Sequence, residues 1–321
     1  MFLQNWLNKL SFAFLIVGFF WGLFSFPLTG SAQSCHGGGG GQVLAVLASG
    51  QQVQLATATS YRLSNGRFDP YGRYIEYSSS TTYRSLVTLW GAAYRLSENW
   101  QLGVSLPMVY NDYSISTLER EAASLGDPIG EVRYGVWDDL AFLKYRPSLS
   151  LYSGLRVPLG KSLYDSSDPL DADVTSDGMI TSHIGATISK LYRPLKLSWD
   201  GSFFYPFSKT ITKNRGKSIP SYLLKNGNRF QMSESIAYLL NEHMTGTLGL
   251  KQLWQLQNAT DGTKVLGSAG RLFSTLVGIN YTLNTSWGFS LSHENSFPFY
   301  RYLVNQPQTE TFLVAGTYNG F

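Results

Sequence analysis

The chain has 321 residues, of which 43% are hydrophobic and 15% aromatic but only 14% charged. A typical soluble domain is about 25% charged, so this composition lacks the charge that covers a water-facing surface. A formal net charge of +4 is too slight to argue for a nucleic-acid partner, and a mean hydropathy of −0.09 excludes a bundle of transmembrane helices.

Lys9 is the only charged residue before Arg62, and Ser11 to Leu28 is almost wholly apolar. The TGSAQ that follows puts Gly30 and Ala32 at the small-residue positions of a cleavage site. This predicts a secretory signal peptide over residues 1–32, cut after Ala32. The apolar run is long enough to span a bilayer, so an uncut anchor is the alternative. No later segment has 18 consecutive apolar residues.

Residues 33–50 predict a Gly-rich linker containing SCHGGGGG. Cys35 is the only cysteine, so no internal disulfide can form. Cys35 and His36 offer a thiolate and an imidazole to a soft metal such as copper, but two ligands do not close a site. Gln33 fits poorly before a lipidated cysteine. The sequence calls for no cofactor.

From residue 51 to 321 the chain alternates. Val53, Leu55, Thr57, Thr59 and Tyr61 share one parity in 52–62, and Leu102, Val104, Leu106, Met108 and Tyr110 share one in 101–111. In PSLSLYSGLRVPLG, residues 147–160, Leu149, Leu151, Leu155 and Val157 oppose Ser150, Tyr152, Gly154 and Arg156. Residues 195–205, 244–254, 271–282 and 286–294 repeat the pattern. Each segment is about 10 residues long, the length of a tilted strand crossing a bilayer.

Short connections at 96–99, 146–147, 191–194, 241–243 and 284–285 alternate with longer polar ones at 64–82, 112–137, 159–178, 208–228, 257–270 and 296–307. A membrane barrel has such rims, with tight turns on one side and long loops on the other. The fold class predicted is all-β, a closed antiparallel transmembrane barrel of about twelve strands and outer-membrane type. The apolar parity faces lipid and the polar parity the lumen. Aromatics such as Trp100, Tyr145, Tyr192, Trp254 and Trp287 fall near strand ends, at headgroup level. The terminal Phe321 suits recognition by the barrel assembly machinery of the outer membrane.

The stretch WDDLAFLKYRPSLSLYSGLRVPLGK resembles outer-membrane barrels of the phenol-degradation meta-pathway family, often called simply transporters. The matching positions are Asp138 or Asp139, Lys144, Tyr145, Pro158 and Gly160, with VSLPMVY at 104–110 resembling the preceding strand. The likeness covers about residues 100–161; it implies a strand over WDDLAFLKY, a roughly twelve-stranded barrel and uptake of small solutes, aromatic or hydrophobic ones among them. LGDP at 125–128 departs from the pattern.

Parity nominates Arg62, Lys144, Arg146, Arg156, His183, Lys196, Asp200, Lys251 and Glu294 as lumen-lining. Arg156 is expected mid-strand, paired with Asp200 or Glu294. Such charges either tune the solutes admitted or form ion pairs that fill a narrow interior. Glu234 falls on an apolar parity, which predicts a bulge or a near-rim position. YRLSNG at 61–66 resembles the serine motif of outer-membrane lipid hydrolases, but Arg62 stands where a general-base histidine belongs. An arginine stays protonated, so no enzyme is expected and Ser64-Asn65-Gly66 reads as the start of a turn.

Two functions follow. The first is an outer-membrane channel for small solutes; the second is a plugged structural or accessory barrel, metal-related through Cys35 and His36. Outer-membrane lipid, a small-molecule solute and the assembly machinery are the expected partners.

Overall fold

The computed structural model describes residue 47 and residues 50–139, 145–215, 217–296 and 307–320. Two-residue alternation becomes twelve long antiparallel strands. They are β1 (Val53–Phe68), β2 (Thr81–Arg95), β3 (Trp100–Ile115), β4 (Ile129–Trp137), β5 (Ser148–Arg156), β6 (Thr181–Tyr192), β7 (Leu195–Pro206), β8 (Arg229–Leu239), β9 (Met244–Gln255), β10 (Gly270–Thr282), β11 (Trp287–Asn295) and β12 (Pro307–Gly320). Each pairs with its neighbours in chain order, and β12 returns to pair with β1 from Val53↔Gly320 to Arg67↔Pro307. Closure leaves no free edge, which is what a bilayer demands, since an unpaired backbone group in hydrocarbon costs several kcal/mol.

The wall is apolar on the outside. Outward Val314 is 59% exposed and Leu291 57%, whereas inward Gln54 is 0% and Asn111 2% exposed. A water-soluble protein has the opposite arrangement, so the outer surface is a lipid surface. Aromatic rings gird both ends: Trp100 lies 4.9 Å from Tyr134 and Trp287 5.0 Å from Tyr318 at the short-turn rim, and Phe230 lies 5.6 Å from Trp254 toward the other.

Several local expectations need correction. Residues 129–137, read as part of a long loop, are β4, which ends at Trp137; most of the strand that the resemblance implies over WDDLAFLKY, residues 140–144, lies outside the described residues. Leu118–Leu125 pairs with the far half of β3; the chain then breaks at 126–128 and resumes on β3 as β4. The charges in this stretch mimic a loop, but Glu131 and Arg133 sit on the lumen parity, where a barrel accepts them. Ser64–Gly66 is a register irregularity inside β1, not a turn. Glu234 lies neither at a bulge nor at a rim. It is mid-strand in β8, opposite Trp199 and Leu250 on the lipid face.

Above the long-loop rim the chain builds a second, four-stranded sheet from Lys209–Asn214, Lys217–Lys225, Ala259–Thr260 and Thr263–Lys264. Met179, Ile211 and Leu224 form a small apolar core there, joined by Tyr164, Ile219 and Tyr222. This core ties the 157–180 connection to the external sheet.

Candidate functional site

The lumen carries the chemistry, and its first wall is a network on β4 to β7. Glu131 accepts two hydrogen bonds from Arg133, at 2.8 and 3.2 Å, and its other oxygen lies 3.3 Å from His183 Nε2. Arg133 Nη1 donates to Thr187 Oγ1 at 3.3 Å. Asp200 accepts from Thr187 Oγ1 at 2.7 Å and from the Tyr152 hydroxyl at 2.9 Å. The Arg133 guanidinium lies 4.6 Å from the centre of the Tyr152 ring. Glycine makes this possible, because a Cβ at Gly154 or Gly185 would overlap the His183 or Tyr152 ring. Glu131 is ion-paired with Arg133, and Asp200 is held by two hydroxyl hydrogen bonds, so each buried polar group finds a partner.

The second wall, on β9 to β12 and β1, is mixed. Lys251 Nζ lies 3.3 Å from Glu294, which also accepts from Ser274 Oγ at 2.6 Å. On the same rung the register runs Arg62↔Thr311, Thr311↔Glu294 and Glu294↔Leu276. Among the described residues Arg62 has no hydrogen-bond or ion-pair partner, and it is exposed. A cavity of about 180 Å³ opens on this wall, where Arg62, Lys251 and Glu294 are interleaved with Leu272, Leu276 and Leu313.

Both mouths are furnished. At the long-loop end the 157–180 connection is fastened to inward residues of three strands. Asn111 Nδ2 donates to the carbonyls of Ala172 at 2.7 Å and Val174 at 3.3 Å, while Arg156 and Arg229 both pair with Asp177. Arg120, Lys161 and Arg215 hold Asp168, Asp173 and Asp171. Burial raises the Asp177 carboxyl, but the Arg229 and Arg156 charges outweigh it and hold the group below the ordinary aspartate range. Asp173 is depressed in the same way: burial acts upward, and hydrogen bonds from Lys161 and Ser166 win. At the short-turn end Leu47 is 3% exposed. Its amide donates to Gln101 Oε1 at 3.0 Å, and its carbonyl accepts from Arg95 Nη2 at 2.7 Å.

The nominated residues fall as follows. Arg62, Arg156, His183, Lys196, Asp200, Lys251 and Glu294 stand on inward positions of their strands. The register brings Arg62, Lys251 and Glu294 together on one wall and His183 and Asp200 on the other. Arg156 is the last residue of β5 and meets Asp177, 3.6 Å away, rather than Asp200 or Glu294. Arg146 precedes β5 at the rim, where its guanidinium lies 6.0 Å from the Trp137 ring, so it does not line the lumen. Lys144, Cys35, His36 and Phe321 lie outside the described residues. Among the described residues no group of three or more His, Cys, Asp or Glu side chains is arranged to hold a metal. Sequence reading missed Glu131 and Arg133, hidden in the supposed loop, and Tyr152 and Thr187, whose importance depends on Asp200 across the sheet. Their shared parity was the available signal.

Among solved structures the barrel is similar to an outer membrane channel from Pseudomonas putida F1, with a TM-score of 0.68, 14% identity, and coverage of 87% of this chain and 98% of that one. The fold is that of an outer-membrane β-barrel. The translocator domain of the autotransporter NalP from Neisseria meningitidis scores 0.47 at 10% identity, covering 84% of this chain and 89% of that one. The toluene transporter TbuX from Ralstonia pickettii scores 0.42 at 8% identity, covering 85% and 90%. At these two scores the likeness extends to the barrel outline and no further. No protein-family model matches the chain, and no curated protein matches its sequence.

Proposed function

We propose that the protein is an outer-membrane channel that passes small organic solutes across its barrel. In this reading residues 1–32 direct export and are removed, 33–50 lead into the barrel, 51–321 form it, and the assembly machinery inserts it. The observation that carries the proposal is the lumen itself. It holds an exposed Arg62 with no hydrogen bond or ion pair among the described residues and a cavity of about 180 Å³ lined by charges and leucines together, inside a barrel whose outer face suits lipid. The resemblance of residues 100–161 to meta-pathway transporters supports aromatic or hydrophobic solutes as the cargo.

The plugged accessory barrel is the second reading. It draws support from Leu47 tucked into one mouth and from the 157–180 connection pinned across the other. Recording from the purified mature protein in planar bilayers separates the two. Stepwise conductance in potassium chloride is expected; a silent bilayer containing correctly folded protein would overturn the channel reading.

A further inference from the structure

The leucines of the second wall stand on the wrong parity for a simple aqueous pore. Leu272, Leu276 and Leu313 occupy inward positions: Leu276 lies opposite Glu294 and Gly249, and Leu313 opposite Ser60 and Ser292. Inward positions of a water-filled barrel are polar by default, so three apolar side chains bordering one cavity form a surface that water does not reward. The charges beside them are unequal. Lys251 and Glu294 satisfy each other, with Ser274 completing the carboxylate's shell. Arg62 is left over, exposed to the cavity and one rung position from Glu294 through Thr311. Two cations against one anion leave a net single positive charge, and Arg62 is the cation that no hydrogen bond or ion pair engages among the described residues.

We propose that this cavity is a binding site for small amphipathic monocarboxylates, with the carboxylate on Arg62 and the hydrocarbon body against Leu272, Leu276 and Leu313. The inference rests on the channel reading and assigns its solute class. A guanidinium presents a planar pair of donors that matches a carboxylate in bidentate fashion. A ring or short alkyl chain can displace poorly ordered water from the leucines. Neither half suffices alone. An uncharged hydrocarbon leaves Arg62 unmatched, and acetate leaves the leucines wet. A dicarboxylate brings a second negative charge toward Glu294, and an ammonium compound faces Arg62 with the wrong sign. The volume of about 180 Å³ accommodates a single benzoate-sized molecule.

The test uses the mature full-length barrel in detergent, with benzoate as the probe and toluene, acetate and benzylamine as comparisons, read by calorimetry and by interruption of bilayer current. Benzoate is expected to bind saturably, with the three comparison compounds at least about tenfold weaker, the usual order for losing one charge-assisted contact or one apolar wall. Arg62→Gln should weaken benzoate about tenfold and leave toluene unchanged. Leu276→Ser should weaken benzoate while leaving acetate unchanged. The electrophoretic shift of unheated protein verifies that both variants fold. Equal benzoate affinity in the wild type and Arg62→Gln would overturn the site, as would toluene binding as tightly as benzoate. Saturable benzoate binding in a barrel that never conducts keeps the site and removes the channel reading. Normal conductance without benzoate binding removes the site alone.

Discussion

Leu151 and Arg156 share a strand but face different media. Leu151 points outward near the middle of β5 and is 46% exposed to what is lipid in the membrane. Arg156 points inward at the end of the strand and holds Asp177. An arginine on the lipid face costs about 2–4 kcal/mol at the midplane and about 0–1 near an interface. Leu151→Arg should therefore cost the larger amount in lipid-bilayer unfolding titrations, and Leu155→Arg, one position from the outer end, the smaller. Arg156→Ala should leave barrel stability nearly unchanged, because Arg229 still holds Asp177. Equal losses at Leu151 and Leu155 would contradict the depth assigned to β5. Glu234 breaks the outward rule in mid-strand, and among the described residues no hydrogen bond or ion pair compensates for it.

At the scale of elements, the 157–180 connection is the part of the structure that pH can move. Arg120, Arg156, Arg215 and Arg229 fasten its aspartates from outside, Lys161 holds Asp173 within it, and Asp173 and Asp177 are both depressed below the ordinary aspartate range. A depressed carboxyl adds stability that is fully present above its unfolded value of about 3.9 and is lost as pH falls through the lower folded value. The connection is thus held at neutral pH and released in acid below about pH 4. Single-channel current should become noisier below that point. Asp177→Asn should show the released behaviour already at neutral pH, with a weaker acid response. An acid response identical to that of the wild type would remove Asp177 from the fastening. Asn111, an uncharged donor to the same connection, gives a pH-independent anchor that keeps the acid effect partial.

On the scale of the whole molecule, stability rests on closure more than on a core. Among the described residues the compact apolar cluster around Met179 lies above the barrel, not in it. The barrel is held by its hydrogen-bonded ladder and by the transfer of its outer face into lipid. A proline fits inside a strand only where the ladder is already interrupted, as at Pro107 in β3, which lies between the end of pairing with β4 at Ser105 and the start of pairing with Leu118–Leu125 at Met108. Ala58, on β1, pairs with Leu89 on one side and Ala315 on the other, at the seam where the sheet closes. Ala58→Pro is expected to abolish the fast-migrating folded band in unheated electrophoresis. A normal yield of that band would mean that β1 and β12 do not close the sheet in this register.

The sequence by itself determined which face meets lipid in the strands that alternate visibly, that short and long connections alternate, and that the sheet is a barrel of about twelve strands. Those properties depend on a period of two residues and on two solvents of opposite character, both written locally along the chain. It also placed seven lumen residues on the inward parity. It misplaced β4, because Glu131 and Arg133 look like loop residues until a polar interior exists to receive them. It could not pair Arg156 with Asp177, set Arg62 beside three leucines, or bring Leu47 to Gln101. Those partners are joined by the stagger between strands and by loops folding back over the mouths, and only the closed tertiary structure fixes either.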